Sequence, residues 1–584
     1  MDDSDDIRIQ RRRTTTMTPR GDNADIAVRG RQALSHETHC NNQDQPSESF
    51  ASTPHSGSFV PAVYDHTGPS QYPNEFSFDD AFALSNDSLF FLDQVYIGKS
   101  LPMEWSDSIS MTENGNYNRD SATNIVENEQ TGRFTWLDGL ADANIITAAM
   151  HAYFDFAAVY LPILLADAFW IDFHAGRCSS SLLYAVACRG MPFTMAANKW
   201  ELQQQLARKF RETFLEARTA ALDDGAVGLD DLEALALMID FEYDDAGSAP
   251  LHANLGRLFL THESLVLMML RSQKHTYGTS DTQPSESLAR ASERRVLLYW
   301  HVYGIDAFHS LDRKQQSHIP DTNAISNESI SKLEAKDYLD AILALAIIAR
   351  KITRALCSAA AKRTGVSLQD VRLMYEQLAL WRLHGCPQHL RRYRDDAGNL
   401  VAGKNNNAST RERHLQLRCA VLWALELNCT MQIEDCVSAS RLQVDSCLET
   451  EQAALQIECE SVRALTEMVE VCKWMRRIEA QSGGTAQHSL VDLAPNALRN
   501  ICAGLCFWAY QRAIDTCERW TPSIAFQVYT RKAGIKEQQV ETYKETAQLL
   551  RDSVATAVSH KDTAQVLERL DRQRALFETL LERI

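Results

Sequence analysis

The sequence predicts an all-α protein: a multi-helix body behind a long, disordered N-terminal head. Three observations predict it. Apolar residues recur at helical spacing almost without a break from Phe134 to about residue 394, and again from residue 413 to about 530. No stretch shows the period-2 alternation of a half-buried strand. Helix start and stop residues punctuate the apolar stripes frequently.

Residues 1–130 form the head. They are rich in Ser, Thr, Asn, Asp, Gln and Pro, poor in apolar residues, and without helical period. RIQRRRTTTMTPR carries Arg8, Arg11, Arg12, Arg13 and Arg20, a pattern that fits a nuclear import signal or a solvated tail. NEFSFDDAFALSNDSLFFLDQVY (74–96) interleaves Phe76, Phe78, Phe82, Phe90 and Phe91 with Asp79, Asp80, Asp87 and Asp93. Acidic-hydrophobic mixing of this kind marks activation segments. A short helix docking on the chain's own core fits it equally.

Residues 131–394 form the first helical part of the body. RCSSSLLYAVACRGMP (177–192) offers serine N-caps and stops at Gly190 with Pro192 beyond. GLDDLEALALMIDFEYDDAG (228–247) places Asp230 and Asp231 at the positive end of a helix and buries Leu232, Leu235, Ala236 and Ile239. LHANLGRLFLTHESLVLMMLR (251–271) is apolar nearly all round and should lie inside. The polar stretch 272–287 separates helices, and the longer loop 395–412 divides the body in two. Residues 413–530 return to helix. Residues 531–584 are charged, amphipathic and strongly helix-forming, suited to packing on the body or pairing with another chain. They sustain no strict heptad.

Composition narrows the function. The 584 residues are 45% hydrophobic and 23% charged, globular values, with a net charge of −18. Gripping nucleic acid through counterion release needs a basic surface, so most of this chain serves another purpose, with room for one small basic module. No signal peptide opens the chain and no run is apolar enough for a membrane span. Of 14 cysteines, eleven lie beyond residue 350, mostly singly within helical segments. They read as small core residues in a reducing compartment, cytosol or nucleus.

Catalytic patterns are missing. His262 and Glu263 begin a helical zinc-protease motif, but position 266 is Val. Asp230, Asp231 and Glu233 lack the spacing of a prenyl-cyclase metal box. There is no phosphate-cradling Gly-Lys-Ser/Thr loop, no dinucleotide fingerprint and no Gly-x-Ser-x-Gly elbow. Cys502 and Cys506 share a helix face but would need two more ligands to hold zinc. His488 is the nearest in sequence, and two core residues is the better reading. His36, His39 and Cys40 lack partners at zinc-finger distances.

The helical pieces, taken in order, resemble the fungal-specific transcription factor domain, the middle homology region of fungal zinc binuclear-cluster regulators. AAMHAYFDFAAVYLPILLADAFW supplies Tyr153, Phe154, Leu161, Pro162, Ile163 and Phe169. SSSLLYAVACRG, then KFRETFLEARTAAL with Ala217 and Arg218, then ALALMIDFEY follow as in that family. ASERRVLLYWHVYGIDAFHSLDRKQQSHIPD (291–321) matches the family's central motif through Arg294, Arg295, Trp300, Tyr303, Asp306, Arg313, Ile319 and Asp321. LALWRLHGCPQHLR is similar to a later Trp-containing helix that ends in proline. The resemblance spans about residues 134 to 530.

It implies a nuclear regulator of RNA polymerase II transcription, not an enzyme, that works with the transcription machinery or other zinc-cluster regulators, as a homo- or heterodimer. The alternative is a partner module that associates with such regulators and makes no DNA contact of its own. An all-helical enzyme is the distant third. Zinc is expected of the family, but its six cysteines are not present: Cys40 alone precedes Cys178. No cofactor is therefore expected, and DNA contact needs a missing N-terminal exon or a partner. Asp306, central in an apolar helix, must find a donor, with Arg313 as the candidate; Arg294 and Arg295 should pair with carboxylates of other helices.

Overall fold

The computed structural model describes residues 142–220, 227–243, 250–276, 286–320, 335–402, 409–443, 447–481, 488–518 and 530–583. The head, with its basic patch and acidic-aromatic segment, lies outside the described residues, as does Asp321.

Helix dominates as expected. α1 (Ala143–Asp155) starts where the Asp142 carboxylate accepts the Asn144 N–H at 2.9 Å. A short 3-10 turn and Pro162 lead into α2 (Ala166–His174). α3 (Ser180–Gly190) is capped by Ser179, whose Oγ accepts from Leu182 N at 3.3 Å. Every residue from Ser181 to Cys188 is buried, because α3 lies among α1, α4 (Lys199–Ala220) and α5 (Leu229–Met238). Gly190 is the last residue of α3, the stop the sequence indicates, and a 3-10 turn containing Pro192 follows it. Its role is spatial: a Cβ there would overlap the Ala149 carbonyl oxygen and stand 2.7 Å from Tyr153 N of α1.

The stretch 251–271 is two helices, α6 (Pro250–Phe259) and α7 (His262–Thr276). Thr261 breaks it, its hydroxyl accepting from Ser264 N at 3.2 Å. Leu258 and Leu267 face outward, so the stretch is less enclosed than its apolar content suggests. α8 (Glu286–Asp312) carries the central motif and packs on α5, α7 and α9 (Lys336–Leu356). The short α10 (Ala359–Thr364) and α11 (Leu368–Leu380) follow, and α11 runs into a π turn, 381–385.

The second part is built on α12 (Ser409–Ser440), buried along most of its length between α9 and α13 (Cys447–Gln481). After α14 (Leu490–Leu493), α15 (Asn500–Glu518) receives α16 (Thr530–Val554) and α17 (Thr563–Arg583). Ala547, Leu550, Val554 and Phe577 are fully buried, so the C-terminal helices pack on the body.

Among the described residues, four strands of two or three residues are present. β1 (Val366–Ser367) runs parallel to β4 (Leu442–Gln443). β2 (Arg392–Arg394) pairs antiparallel with β3 (Leu400–Ala402), around a turn with Gly398 at φ +80°. This hairpin takes up the start of the expected loop 395–412. Three residues a side are too few for an alternation to register in sequence.

Candidate functional site

Among the described residues buried polar groups gather in several places, and two arrangements stand out. The first is centred on Asp306, which α8 carries into the core with no exposed surface. Its Oδ1 accepts from His318 N (3.1 Å) and lies 3.3 Å from His262 Nε2 and 3.1 Å from His318 Nδ1. Its Oδ2 accepts from Ile319 N (3.0 Å) and Arg350 Nη1 (3.0 Å). Burial alone would raise this carboxyl. The hydrogen bonds from His262 and from the Ile319 and His318 backbone outweigh it and hold Asp306 well below the usual carboxylate range.

The principal cation is Arg350 of α9, not Arg313, which pairs near the surface with Glu263 at 3.3 Å. Arg350 also donates to the Ile319 carbonyl and lies over the Tyr303 ring at 4.5 Å. One residue of α9 thus ties α8 to the segment after it.

At the other end of α8, Arg294 reaches three carboxylates: Glu233 (3.0 and 2.5 Å), Asp230 (2.5 Å) and Asp172 (3.3 Å). Burial raises Glu233 to about 7, against the opposing pull of Arg294. Asp230 also accepts from Ser179 N (2.8 Å) and Asp231 from Ser181 Oγ (2.5 Å), so the acidic start of α5 caps α3 besides meeting its own dipole. Arg295 is exposed and makes no ion pair among the described residues. Tyr153 is buried, its ring edge-on to Phe154 at 4.9 Å; Trp300 packs edge-on to Tyr303 at 5.5 Å.

The second arrangement is a cavity of about 310 Å³ where the first helical part meets the C-terminal part. Tyr153, Arg189, Trp200 and Tyr243 line it from one side, Arg499 and Asp562 from the other. An apolar slot of about 70 Å³ adjoins it, walled by α8, α9 and α12 through residues such as Leu297, Trp300, Phe308, Leu343 and Leu425. Tyr160, Leu161, His301 and Asn496 border both spaces, and Pro162 faces the slot.

The charges at the cavity are tied to one another. Arg189 pairs with Asp240 and donates to Leu237 O (2.6 Å), and Asn496 also donates to Asp240. Arg499 holds Asp562 through two bonds of 2.7 and 2.6 Å. Burial pushes His301 down to about 3, with His262 adding to it, so its ring is neutral. Burial also lowers His560, helped by Arg499; its Nε2 lies 2.9 Å from the Asp492 carbonyl oxygen.

The Asp306 cluster comes nearest to a metal site among the described residues. His262, Asp306 and His318 bring three ligand atoms within 4.8 Å, which sequence spacing did not reveal. Yet both Asp306 oxygens already accept backbone donors, a guanidinium lies 3.0 Å away, and His262 Nδ1 has no acceptor among the described residues to orient it as a ligand. The described cysteines form no zinc cluster either. Cys472 and Cys502 approach to 3.7 Å inside the core, with no group of three ligands around them among the described residues.

Ser559, His488 and Asp492 collect the residue types of a hydrolytic triad. However, Ser559 Oγ and Asp492 Oδ2 both meet His488 Nδ1, at 3.0 Å each, while Nε2 meets neither. A working triad places base and orienting acid on opposite ring nitrogens.

Sequence reasoning did not single out Arg350, Asp240, Arg499 or Asp562. Arg350 left a signal. In AILALAIIARKITRAL it falls four residues after Ala346, on the buried stripe of a strongly apolar helix, and a lone arginine there must have a buried partner.

Residues 150–330 match the family model of the fungal specific transcription factor domain, so the chain carries that domain. No curated protein and no solved structure matches the chain. Among the described residues, no helix is long and apolar enough to cross a membrane.

Proposed function

We propose that this chain is a nuclear regulator of RNA polymerase II transcription whose helical body is the regulatory part and has no catalytic role. The domain match over residues 150–330 carries the reading. The physical character of the body supports it. Its motif residues Arg294, Tyr303 and Asp306 serve inter-helix ties, and its ionic clusters are self-satisfied clamps. A scaffold tied at a few buried points has a small number of discrete packings. A partner or ligand that prefers one of them shifts the population.

Its partners on this reading are the transcription machinery or zinc-cluster regulators, and the net charge of −18 suits protein contact better than direct nucleic-acid contact. Chromatin immunoprecipitation of the tagged full chain, with imaging of its localisation, tests the proposal. Enrichment at discrete promoters and a nuclear signal are expected. Uniform background with a cytoplasmic signal overturns it.

A further inference from the structure

We propose that the outer face formed by α9, α11 and the π turn holds the chain's own acidic-aromatic segment, residues 74–96. Four large apolar side chains are 41–57% exposed there: Ile347 of α9, Leu373 and Leu380 of α11, and Leu383 of the π turn. Leu373 and Leu380 stand two turns apart on one side of α11, and Leu383 follows close to one turn on. Two bonds place Ile347 beside them. Lys351 Nζ donates to Gln377 Oε1 at 3.5 Å, and Trp381 Nε1 donates to the Ala341 carbonyl at 3.1 Å. Ile347 lies between Ala341 and Lys351 on α9, as Leu380 lies between Gln377 and Trp381. Exposed apolar residues scattered singly need no explanation, whereas four on two packed helices mark a contact surface.

The charge of the face selects its occupant. Residues 347–394 hold ten Lys and Arg and two Asp and Glu, in a chain whose net charge is −18. Arg350 is engaged by Asp306, and Arg382 and Arg392 by Glu426. Lys351, Lys362, Arg363 and Arg372 are exposed, against the one exposed carboxylate of α11, Glu376. Lys351 and Arg372 meet the amides of Gln377 and Gln456, which leave their charges unneutralised. An apolar face with a basic rim fits an occupant that is apolar and acidic.

The segment 74–96 has that composition. It carries Glu75, Asp79, Asp80, Asp87 and Asp93 and no Lys or Arg, together with five phenylalanines and three leucines. It is also tethered to the body. Residues 97–141 join it to α1, and a linker of that length spans up to about 150 Å, enough to reach any face of a body of this size. Tethering makes the contact intramolecular, so a modest affinity suffices. Of the two roles its sequence allows, the segment thus has the docking one. The contact rests on charge and exposed area alone and is independent of the transcriptional reading.

A fluorescently labelled peptide of residues 74–96 tests it by anisotropy. The peptide is titrated against the parent full chain, and against a full chain with Phe76, Phe78, Phe82, Phe90 and Phe91 all replaced by serine. In that serine variant the chain's own segment no longer competes. The peptide is expected to bind it with Kd below about 100 μM at low salt, and the parent about tenfold more weakly because the face is already occupied. Leu380→Asp with Leu383→Asp, added to the serine variant, should weaken binding about tenfold or more. Both side chains are exposed, so the melting temperature should stay near that of the serine variant. Lys351→Glu with Arg372→Glu should weaken binding about threefold or more at low salt.

The proposal is overturned if the peptide does not bind the serine variant, if it binds the parent equally well, or if either pair of substitutions leaves its affinity unchanged. Sedimentation of the parent separates the other occupant. A dimer that Leu380→Asp with Leu383→Asp dissociates would put a second copy on this face and overturn the proposal; an oligomeric state untouched by that pair supports it.

Discussion

Arg350 Nη1 lies 3.0 Å from Asp306 Oδ2, with 4% and 0% of the two side chains exposed. The pair joins α9 to α8, and the His318 and Ile319 N–H groups complete the carboxylate's shell. Removing the carboxylate strands a buried guanidinium and two backbone donors. Asp306→Ala should therefore lower the unfolding free energy by about 3–5 kcal/mol, measured by chemical denaturation. Asp306→Leu combined with Arg350→Met should recover a large part of that loss, because it removes both buried charges. A double variant as unstable as Asp306→Ala would move the cause to the backbone donors.

The same carboxylate sets an acid limit. Its folded-state pKa lies below the ordinary 3.8, so its contribution is fully present above that value and is lost as pH falls toward the folded one. Asp562 and Asp492, also depressed, act with the same sign. Melting temperature should fall steeply below about pH 4, and less steeply in Asp306→Asn, measured relative to that variant's own neutral-pH value.

Much of this was legible in the sequence, and the limits are physical. Helical period and caps give the helices, because both are local: Ser179 caps α3 three residues before Leu182. Asp306 was legible as a buried charge because Val302, Ile305 and Phe308 surround it in sequence and are buried with it. Its partner was not. Arg313 is seven residues away, whereas Arg350 is 44 residues away on another helix, and no local pattern connects them. The cavity is less legible still, since Tyr153, His301 and Asp562 meet only through tertiary packing. Gly190 was legible as the stop of α3, but not as the close crossing with α1 that it also serves, which only tertiary packing creates.

Asp312 should be a net liability above neutral pH. It is 3% exposed, deep in the core. Burial raises it to about 8, against smaller opposing pulls from Lys314 and Asn428. For an acid raised in the folded state, the unfolded chain gives up its proton first. Stability from this group therefore declines as pH rises from 3.8 to about 8. Asp312→Asn should remove that decline, raising the melting temperature at pH 8.5 by about 2 °C or more and by clearly less at pH 5. An equal shift at both pH values would show that the carboxyl is not the titrating cause.

Arg294 should not be replaceable by lysine. Its guanidinium serves Glu233, Asp230 and Asp172 at once, and a single ammonium cannot reproduce that fork. Arg294→Lys leaves the fully buried Glu233 short of a donor and should cost about 1–3 kcal/mol by denaturation. Adding Glu233→Gln should soften the loss, since the amide needs no counter-charge.

Zinc should leave the fold unchanged. If the His262, Asp306 and His318 cluster is a clamp, stoichiometric Zn²⁺ should not raise the melting temperature, and chelator should not lower it. His318, with 43% of its side chain exposed, can lose its ring at little cost. His262, at 3%, cannot. A zinc-dependent rise abolished by His318→Ala would assign the cluster as a metal site instead.

Gly190 and Gly304 should respond oppositely to alanine although both sit in helices. At Gly190 the new methyl overlaps the Ala149 carbonyl and crowds Tyr153 N, both backbone atoms of α1, so relief requires the helices to part. Core overpacking of this kind costs about 1–3 kcal/mol, occasionally more. At Gly304 the methyl enters open space, and the better helix propensity of alanine should stabilise by about 0.5–1 kcal/mol. Thermal denaturation of the two variants beside the parent decides this. A stable Gly190→Ala would mean that α1 and α3 have slack at their crossing, and the tight packing assigned to Gly190 would have to be withdrawn.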